Sequence, residues 1–249
     1  MRSFILTDIH GNIEALEAVL AVVPREAYDR LLVLGDLVGY GASPNEVVDR
    51  VRALHPAVLI RGNHDKVASG VESPEHFNFL AAEAARWTFQ TLTAENCAYV
   101  AGLPAGPSIV DDQVEVCHGT PFDEDVYVFD ELDAMGALDA SERPTCFFGH
   151  THQPITFVLF GDSLETLVPD PDPQGSARVP IRGDGKYLIN PGSVGQPRDG
   201  DPRAAYGIFD SDRNEVMLYR VTYPVELTQR KITEAGLPES LAHRLALGR

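Results

Sequence analysis

Short apolar runs that each lead into a cluster of Asp, His, Asn and Gly constrain this chain more than any other feature. Phe4-Ile5-Leu6, Leu31-Leu32-Val33-Leu34 and Val58-Leu59-Ile60 read as buried strands. Between the first two, residues 12–22 place Ile13, Leu16, Val19 and Leu20 at helical spacing, with Asn12 as the cap. Between the second and third, Ser43-Pro44 gives a cap residue and a first-turn proline for a helix over 44–54. This strand–helix–strand–helix–strand order predicts an α/β sheet with parallel neighbours.

Residues 75–102 read as helical, with Phe77, Leu80, Ala84 and Trp87 on one face. The pattern then changes. Ser108-Ile109-Val110 and Val114-Glu115-Val116 flank a turn at Asp111-Asp112 and predict a hairpin. Further strands are expected at 145–148, 155–160, 186–189, 205–209 and 215–221, and closing helices at 224–235 and 239–247. The strand-rich second half predicts a second sheet packed on the first. Residues 161–185, with Pro169-Asp170-Pro171-Asp172-Pro173, are too long for an ordinary connection and read as an irregular insertion or a flap. One domain over 1–249 accommodates all of this.

Composition narrows the function classes. The formal net charge is −17, and the only lysines are Lys66, Lys186 and Lys231. Such a surface repels duplex nucleic acid, whose phosphates are bound mainly by Lys and Arg. Cys97, Cys117 and Cys146 form neither a CxxC pair nor a disulfide framework, and read as buried thiols in a reducing compartment. The run at Phe4-Ile5-Leu6 is too short for a signal peptide or a membrane span, so a cytoplasmic location is expected.

Five motifs then stand in order: Asp8-Ile9-His10, Gly35-Asp36, Gly62-Asn63-His64-Asp65, Cys117-His118-Gly119 and Gly149-His150-Thr151-His152. Each follows an apolar run, which places all of them on loops beyond the C-terminal ends of strands, where ligand sites gather in open α/β sheets. Any one alone reads more readily as a turn, a cap or a polar strand face. Together they supply the donors of a site for two divalent metals, in which a bridging carboxylate holds the ions ~3.5–4 Å apart. His55, His76 and His243 lie outside the motifs and read as ordinary surface or helix residues.

The five motifs resemble the pattern of the calcineurin-like metallophosphoesterase superfamily. With Gly39-Tyr40-Gly41 and Asn190-Pro191-Gly192-Ser193-Val194-Gly195, the chain looks like its small bacterial branch, related to diadenosine tetraphosphatases and Ser/Thr phosphatases. The resemblance implies mixed α/β sheets in a four-layer α/β/β/α sandwich. It assigns one metal to Asp8, His10, Asp36 and His152, and a second to Asp36, Asn63, His118 and His150. His64 would be the catalytic general acid, and attack would come in line from a metal-bound hydroxide. Mn²⁺ is the first expectation, with Fe or Zn²⁺ also suited to these ligands. Homo-oligomers are common in the branch, and the 161–185 segment would be a contact element or lid.

Departures from the pattern refine the function. Gly39 replaces an Asp that would orient the histidine, and Tyr40 replaces an Arg that grips the substrate phosphate. A protein Ser/Thr phosphatase is therefore disfavoured and a phosphodiesterase favoured, since a diester monoanion needs less positive charge. Arg61 is a candidate phosphate contact, and Tyr40 a candidate substrate contact. A nucleotide hydrolase acting on dinucleoside polyphosphates or cyclic nucleotides is the alternative enzyme, with Tyr40, Phe122, Tyr127 and Phe129 as candidate stacking partners. A non-catalytic interaction scaffold of the same fold is the alternative of another class. In either enzyme reading the partner is a small phosphate ester, with no duplex nucleic acid and no membrane. Cys117, where the family has Gly, and the Asn190–Gly195 turn read as packing and pocket wall.

Overall fold

The computed structural model describes residues 1–172 and 174–249. Three parallel strands open the chain: β1 (Arg2–Leu6), β2 (Arg30–Val33) and β3 (Val58–Leu59). A second sheet begins with β4 (Ser108–Ile109), β5 (Val114–Val116), β6 (Thr145–Phe147), β7 (Ile155–Phe160) and β8 (Ser163–Leu167). After β9 (Ser176–Pro180) and β10 (Lys186–Asn190) the chain returns through β11 (Ala204–Asp210) and β12 (Glu215–Val221). The first sheet runs β3, β2, β1, β11, β12, β9, and the second runs β4, β5, β6, β10, β7, β8.

Period-two alternation stacks the layers. In β1, Phe4 and Leu6 face helices α1 (Ile13–Val22) and α2 (Pro44–Ala53), while Ile5 faces the other sheet. In β10, Tyr187 and Ile189 meet Ile5, Leu32 and Phe209 between the sheets, while Leu188 turns outward. Helix α3 (Asn63–Ala68), then α4 (Phe79–Thr91) and α5 (Ala94–Ala101), follow the third strand. Helix α6 (Glu131–Ala140) covers the outer face of the second sheet through Ala134, Ala137 and Leu138. The four-layer α/β/β/α order is thus as the resemblance implied.

Two expectations are corrected. The helical stretch at 75–102 is a 3-10 turn (Pro74–His76) and two helices, broken at Leu92 and Thr93, where the Thr93 side chain caps α5. Phe77, Leu80, Ala84 and Trp87 still share one apolar cluster with Tyr40, α7 (Val225–Glu234) and α8 (Glu239–His243). The 161–185 segment is not an irregular insertion or a flap. It supplies β8 at one edge of the second sheet and β9 at the far edge of the first. β8 is mostly exposed and β9 buries only Val179, so pairing holds them more than burial does and no apolar run marks them in the sequence. Pro173 lies outside the described residues.

Ile189, wholly buried between the sheets, should lose about 2–5 kcal/mol of stability on Ile189→Ala. Leu132, 83% exposed on α6, should lose no more than about 0.5 kcal/mol on Leu132→Ala. Equal losses in denaturant titrations would contradict the layer assignment.

Candidate metal centre

All five motifs meet at one end of the sandwich. Asp8 and His10 follow β1, Asp36 follows β2, and Asn63 and His64 open α3 beyond β3; His118 follows β5, and His150 and His152 follow β6. Every one of these side chains is buried. Asp8, His10, Asp36 and His152 offer atoms within 4.8 Å of one another, as do Asp36, His118 and His150, and Asp36 belongs to both groups.

Each imidazole is aimed by a backbone carbonyl. Nδ1 of His10, His118 and His152 lies 3.1, 2.8 and 2.7 Å from the carbonyl oxygens of Val38, Leu34 and Gln196. A carbonyl only accepts, so these nitrogens carry the protons and each Nε2 presents a lone pair. His150 is turned the other way, with Nε2 3.1 Å from the Asp125 carbonyl. The lone pairs then confront one another. His10 Nε2 and His152 Nε2 are 3.0 Å apart, and His118 Nε2 is 3.3 Å from Asn63 Oδ1. Asp36 Oδ2 is 3.4 Å from Nε2 of both His10 and His118, and has no hydrogen-bond partner among the described residues. Acceptors crowded on acceptors in a buried site fit divalent cations between them, and the donor set suits such ions.

The charges shift accordingly. Burial, with the Asp36 carboxylate adding, pushes Asp8 up to about 7 against the pull of His118. Burial opposes a charge on His118, but the carboxylates of Asp36 and Asp8 prevail and push it up to about 10, so without a cation its Nε2 takes up a proton that a bound ion would displace. Burial pulls His10 and His152 well down, and His150 down to about 3.

His64 stands beside this cluster. Its backbone N–H donates to Asp36 Oδ1 at 2.9 Å. Its ring packs on Tyr40, Phe77 and His10 with centroids 4.3, 4.7 and 4.9 Å away. No carboxylate orients it, and its Nδ1 is buried without a partner among the described residues. Gly39 explains why: at φ +88, a Cβ there would lie 2.6 Å from His64 Nδ1, so no Asp fits. Gly62 is equally constrained, since its Cβ would meet Asp36 Oδ1 at 2.1 Å.

Asp65 and the 190–196 turn fix the loops that carry these groups. Asp65 accepts the N–H groups of Val38 and Gly62 at 3.1 and 3.0 Å. Asn190 Nδ2 donates to the Gly149 carbonyl at 2.8 Å, and Ser193 Oγ donates to the Asp8 carbonyl at 2.8 Å. Asn12 accepts from the Ala15 N–H at 3.1 Å and donates to the Gly195 carbonyl at 2.8 Å, so it caps α1 and braces the turn together.

A cleft of about 460 Å³ opens onto the cluster, lined by Tyr40, Asn63, His64, Phe77, Tyr127 and His150 among others. That size suits a small molecule. Tyr127 stacks on His150 with centroids 3.7 Å apart, and Phe129 stacks on Tyr127 at 5.1 Å. Phe122 is exposed. His76, read as an ordinary surface residue, borders the cleft. Arg61 pairs with Glu124, its Nε and Nη2 donating to that carboxylate, the latter at 2.9 Å. Cys117 and Cys146 are buried free thiols with sulfurs 3.6 Å apart. Arg198 and Arg244 escape sequence reasoning and stand over Tyr40, 5.7 and 4.5 Å from its ring centre. The only sequence signal for Arg198 is its place after the Gly-rich turn, and Arg244 has none.

Burial, aided by Arg198 and His118 and opposed by Asp36, lowers His64 to about 4. Its folded-state value is below the unfolded one of ~6.5. Keeping His64 neutral therefore stabilises the metal-free fold above pH ~6.5, and that contribution is lost as pH falls toward 4. In metal-free protein the His64 imidazole resonances should titrate near 4, and Asp36→Asn should lower that midpoint further. A midpoint of ~6.5 would contradict the burial assigned to this ring.

Comparison with known proteins agrees with this geometry. Residues 1–214 match the calcineurin-like phosphoesterase superfamily domain. An uncharacterized protein of Methanocaldococcus jannaschii is 36% identical, covering 98% of this chain and 97% of its own. The crystal structure of a metallophosphoesterase from Sphaerobacter thermophilus superposes with a TM-score of 0.86 at 40% identity, covering 100% of this chain and 99% of the other. Phosphodiesterase YfcE of Escherichia coli is 24% identical, over 85% of this chain and 89% of its own. The chain belongs to the calcineurin-like phosphoesterase superfamily and is a hydrolase of the metallophosphoesterase type, acting on ester bonds.

Proposed function

We propose that this chain hydrolyses small phosphodiesters at a dinuclear metal centre. Asp8, His10, Asp36 and His152 would hold one divalent cation, and Asp36, Asn63, His118 and His150 would hold the other. The observation that carries this reading is Asp36 Oδ2, buried, without a hydrogen-bond partner among the described residues, and 3.4 Å from two imidazole nitrogens. When bound, the two cations would activate water and offset charge on the phosphoryl oxygens. Mixed Asp, His and Asn donors suit Mn²⁺, with Fe and Zn²⁺ as the other candidates.

His64 is neutral at neutral pH, and a neutral imidazole still keeps one N–H. Charge developing on the leaving oxygen strengthens the hydrogen bond that this N–H donates, and His64 stabilises that oxygen; protonating it as general acid needs the imidazolium, which the negative charge of a bound phosphoryl group favours. Packing by Tyr40 and Phe77 holds the ring for this role. The name of the Escherichia coli relative supports a diester substrate. A nucleotide substrate is the second reading, favoured by the Tyr127–Phe129 stack beside His150, which offers a base an aromatic face. The scaffold reading has no comparable support, because a scaffold has no need of acceptors crowded in a buried site. No helix among the described residues is long and apolar enough to cross a membrane. The free thiols favour a reducing, cytoplasmic setting.

Bis-p-nitrophenyl phosphate and p-nitrophenyl phosphate, offered to purified protein with Mn²⁺, test the reading. The diester should be cleaved faster, chelator should stop cleavage, and Asp36→Ala should lower kcat/KM by more than about 100-fold, the loss that even an outer-shell change can produce. Turnover indifferent to chelator and to Asp36→Ala would refute it.

A further inference from the structure

Tyr40 stands where related phosphatases place a phosphate-gripping arginine, and two arginines from distant parts of the chain converge on it. The guanidinium of Arg244, from the 3-10 turn Arg244–Leu247, lies 4.5 Å over the Tyr40 ring. That of Arg198, beyond the 190–196 turn, lies 5.7 Å from the same ring. Tyr40 in turn packs against His64 and His10, so one ring separates the two cations from the metal-ligand cluster. Arg198 also reaches Tyr127 on the cleft wall, and its charge bears on His10, His64 and His152.

Their charges are unbalanced. Arg30, Arg50, Arg61, Arg178, Arg203 and Arg220 each pair with a carboxylate. Among the described residues no carboxylate pairs with Arg198 or Arg244. Arg198 donates from Nη2 to Gln196 Oε1 at 2.9 Å, but its Nε is buried without an acceptor. Nε and Nη2 of Arg244 are likewise buried without acceptors. Burial, with Arg198 adding, pulls Arg244 down to about 10, so it remains a cation at neutral pH. In a chain of net charge −17, two adjacent guanidiniums left without a carboxylate are costly unless an anion completes them.

We propose that Arg198 and Arg244 form a phosphoryl-binding pair beside the metal centre, gripping the non-bridging oxygens of the reacting group and extending the substrate range from diesters to dianionic monoesters. The inference rests on the phosphoesterase reading above. It also changes the expectation drawn from Tyr40, because the positive charge missing at that position is restored from elsewhere in the fold. A monoester presents three non-bridging oxygens and two negative charges, a diester two and one, so the pair favours the monoester more.

The full chain loaded with Mn²⁺ provides the test, with Arg198→Gln, Arg244→Gln, the double variant and the corresponding Lys variants. Losing charged hydrogen bonds should lower kcat/KM for p-nitrophenyl phosphate by about ten-fold or more beyond any loss for the diester, mainly through KM. Binding of inorganic phosphate, measured by calorimetry, should weaken by a similar factor, and the Lys variants should recover much of it. Two results would overturn the pair: Gln variants that bind phosphate like the wild type, or Lys variants as impaired as the Gln variants at an unchanged melting temperature. Phosphate binding judges the arginines even if the wild type cleaves neither ester, an outcome that would count against the phosphoesterase reading alone.

Discussion

The repulsion among buried lone pairs around Asp36 is the constraint on which the rest of this structure depends. A carboxylate oxygen, two imidazole nitrogens and an amide oxygen face a common space, and the protein sends no proton donor to Asp36 Oδ2. Left alone, such a cluster would open toward water or take up protons, as the raised values of Asp8 and His118 indicate. The fold must therefore hold it closed by force from outside.

That force is backbone geometry. Asp8, His10, Asp36, Tyr40, His150 and His152 all have φ between 50 and 68. For residues with a side chain this conformation costs roughly 1–2 kcal/mol each. Strain of this kind persists only where the surroundings over-determine it. Here the strand ends fix the entry of every loop, and the Asn190–Gln196 turn ties the β1 and β6 loops together. The layers between the helices and the two sheets exist, in this sense, to keep strained loops in register.

Much of this was legible in the sequence. The first three strands, the two early helices and the second sheet announce themselves because burial writes apolar periodicity into the chain. The eight cluster and acid residues (Asp8, His10, Asp36, Asn63, His64, His118, His150 and His152) converge because each follows a strand, and strand ends are readable. What was not legible depends on pairing and on long-range approach. Strands β8 and β9 lie at sheet edges, where hydrogen bonds define them and only Val179 is buried. Arg244 meets Tyr40 only because α7 and α8 fold back over α4. The constraint at Gly39 is visible only once His64 is seen against it.

The region around Tyr40 shows how one site can be assembled by different means. A carboxylate beside the catalytic histidine and an arginine beside the phosphate need not come from adjacent positions, or at all. Here aromatic packing holds the histidine, and two remote guanidiniums converge on Tyr40 at the second position. Their use in catalysis would require that the cluster at Asp36 hold cations. The most direct measurement is anomalous X-ray scattering at the manganese edge from crystals grown with Mn²⁺. Two peaks ~3.5–4 Å apart on either side of Asp36 are predicted. A single peak, or none at Asp36, would contradict the dinuclear centre.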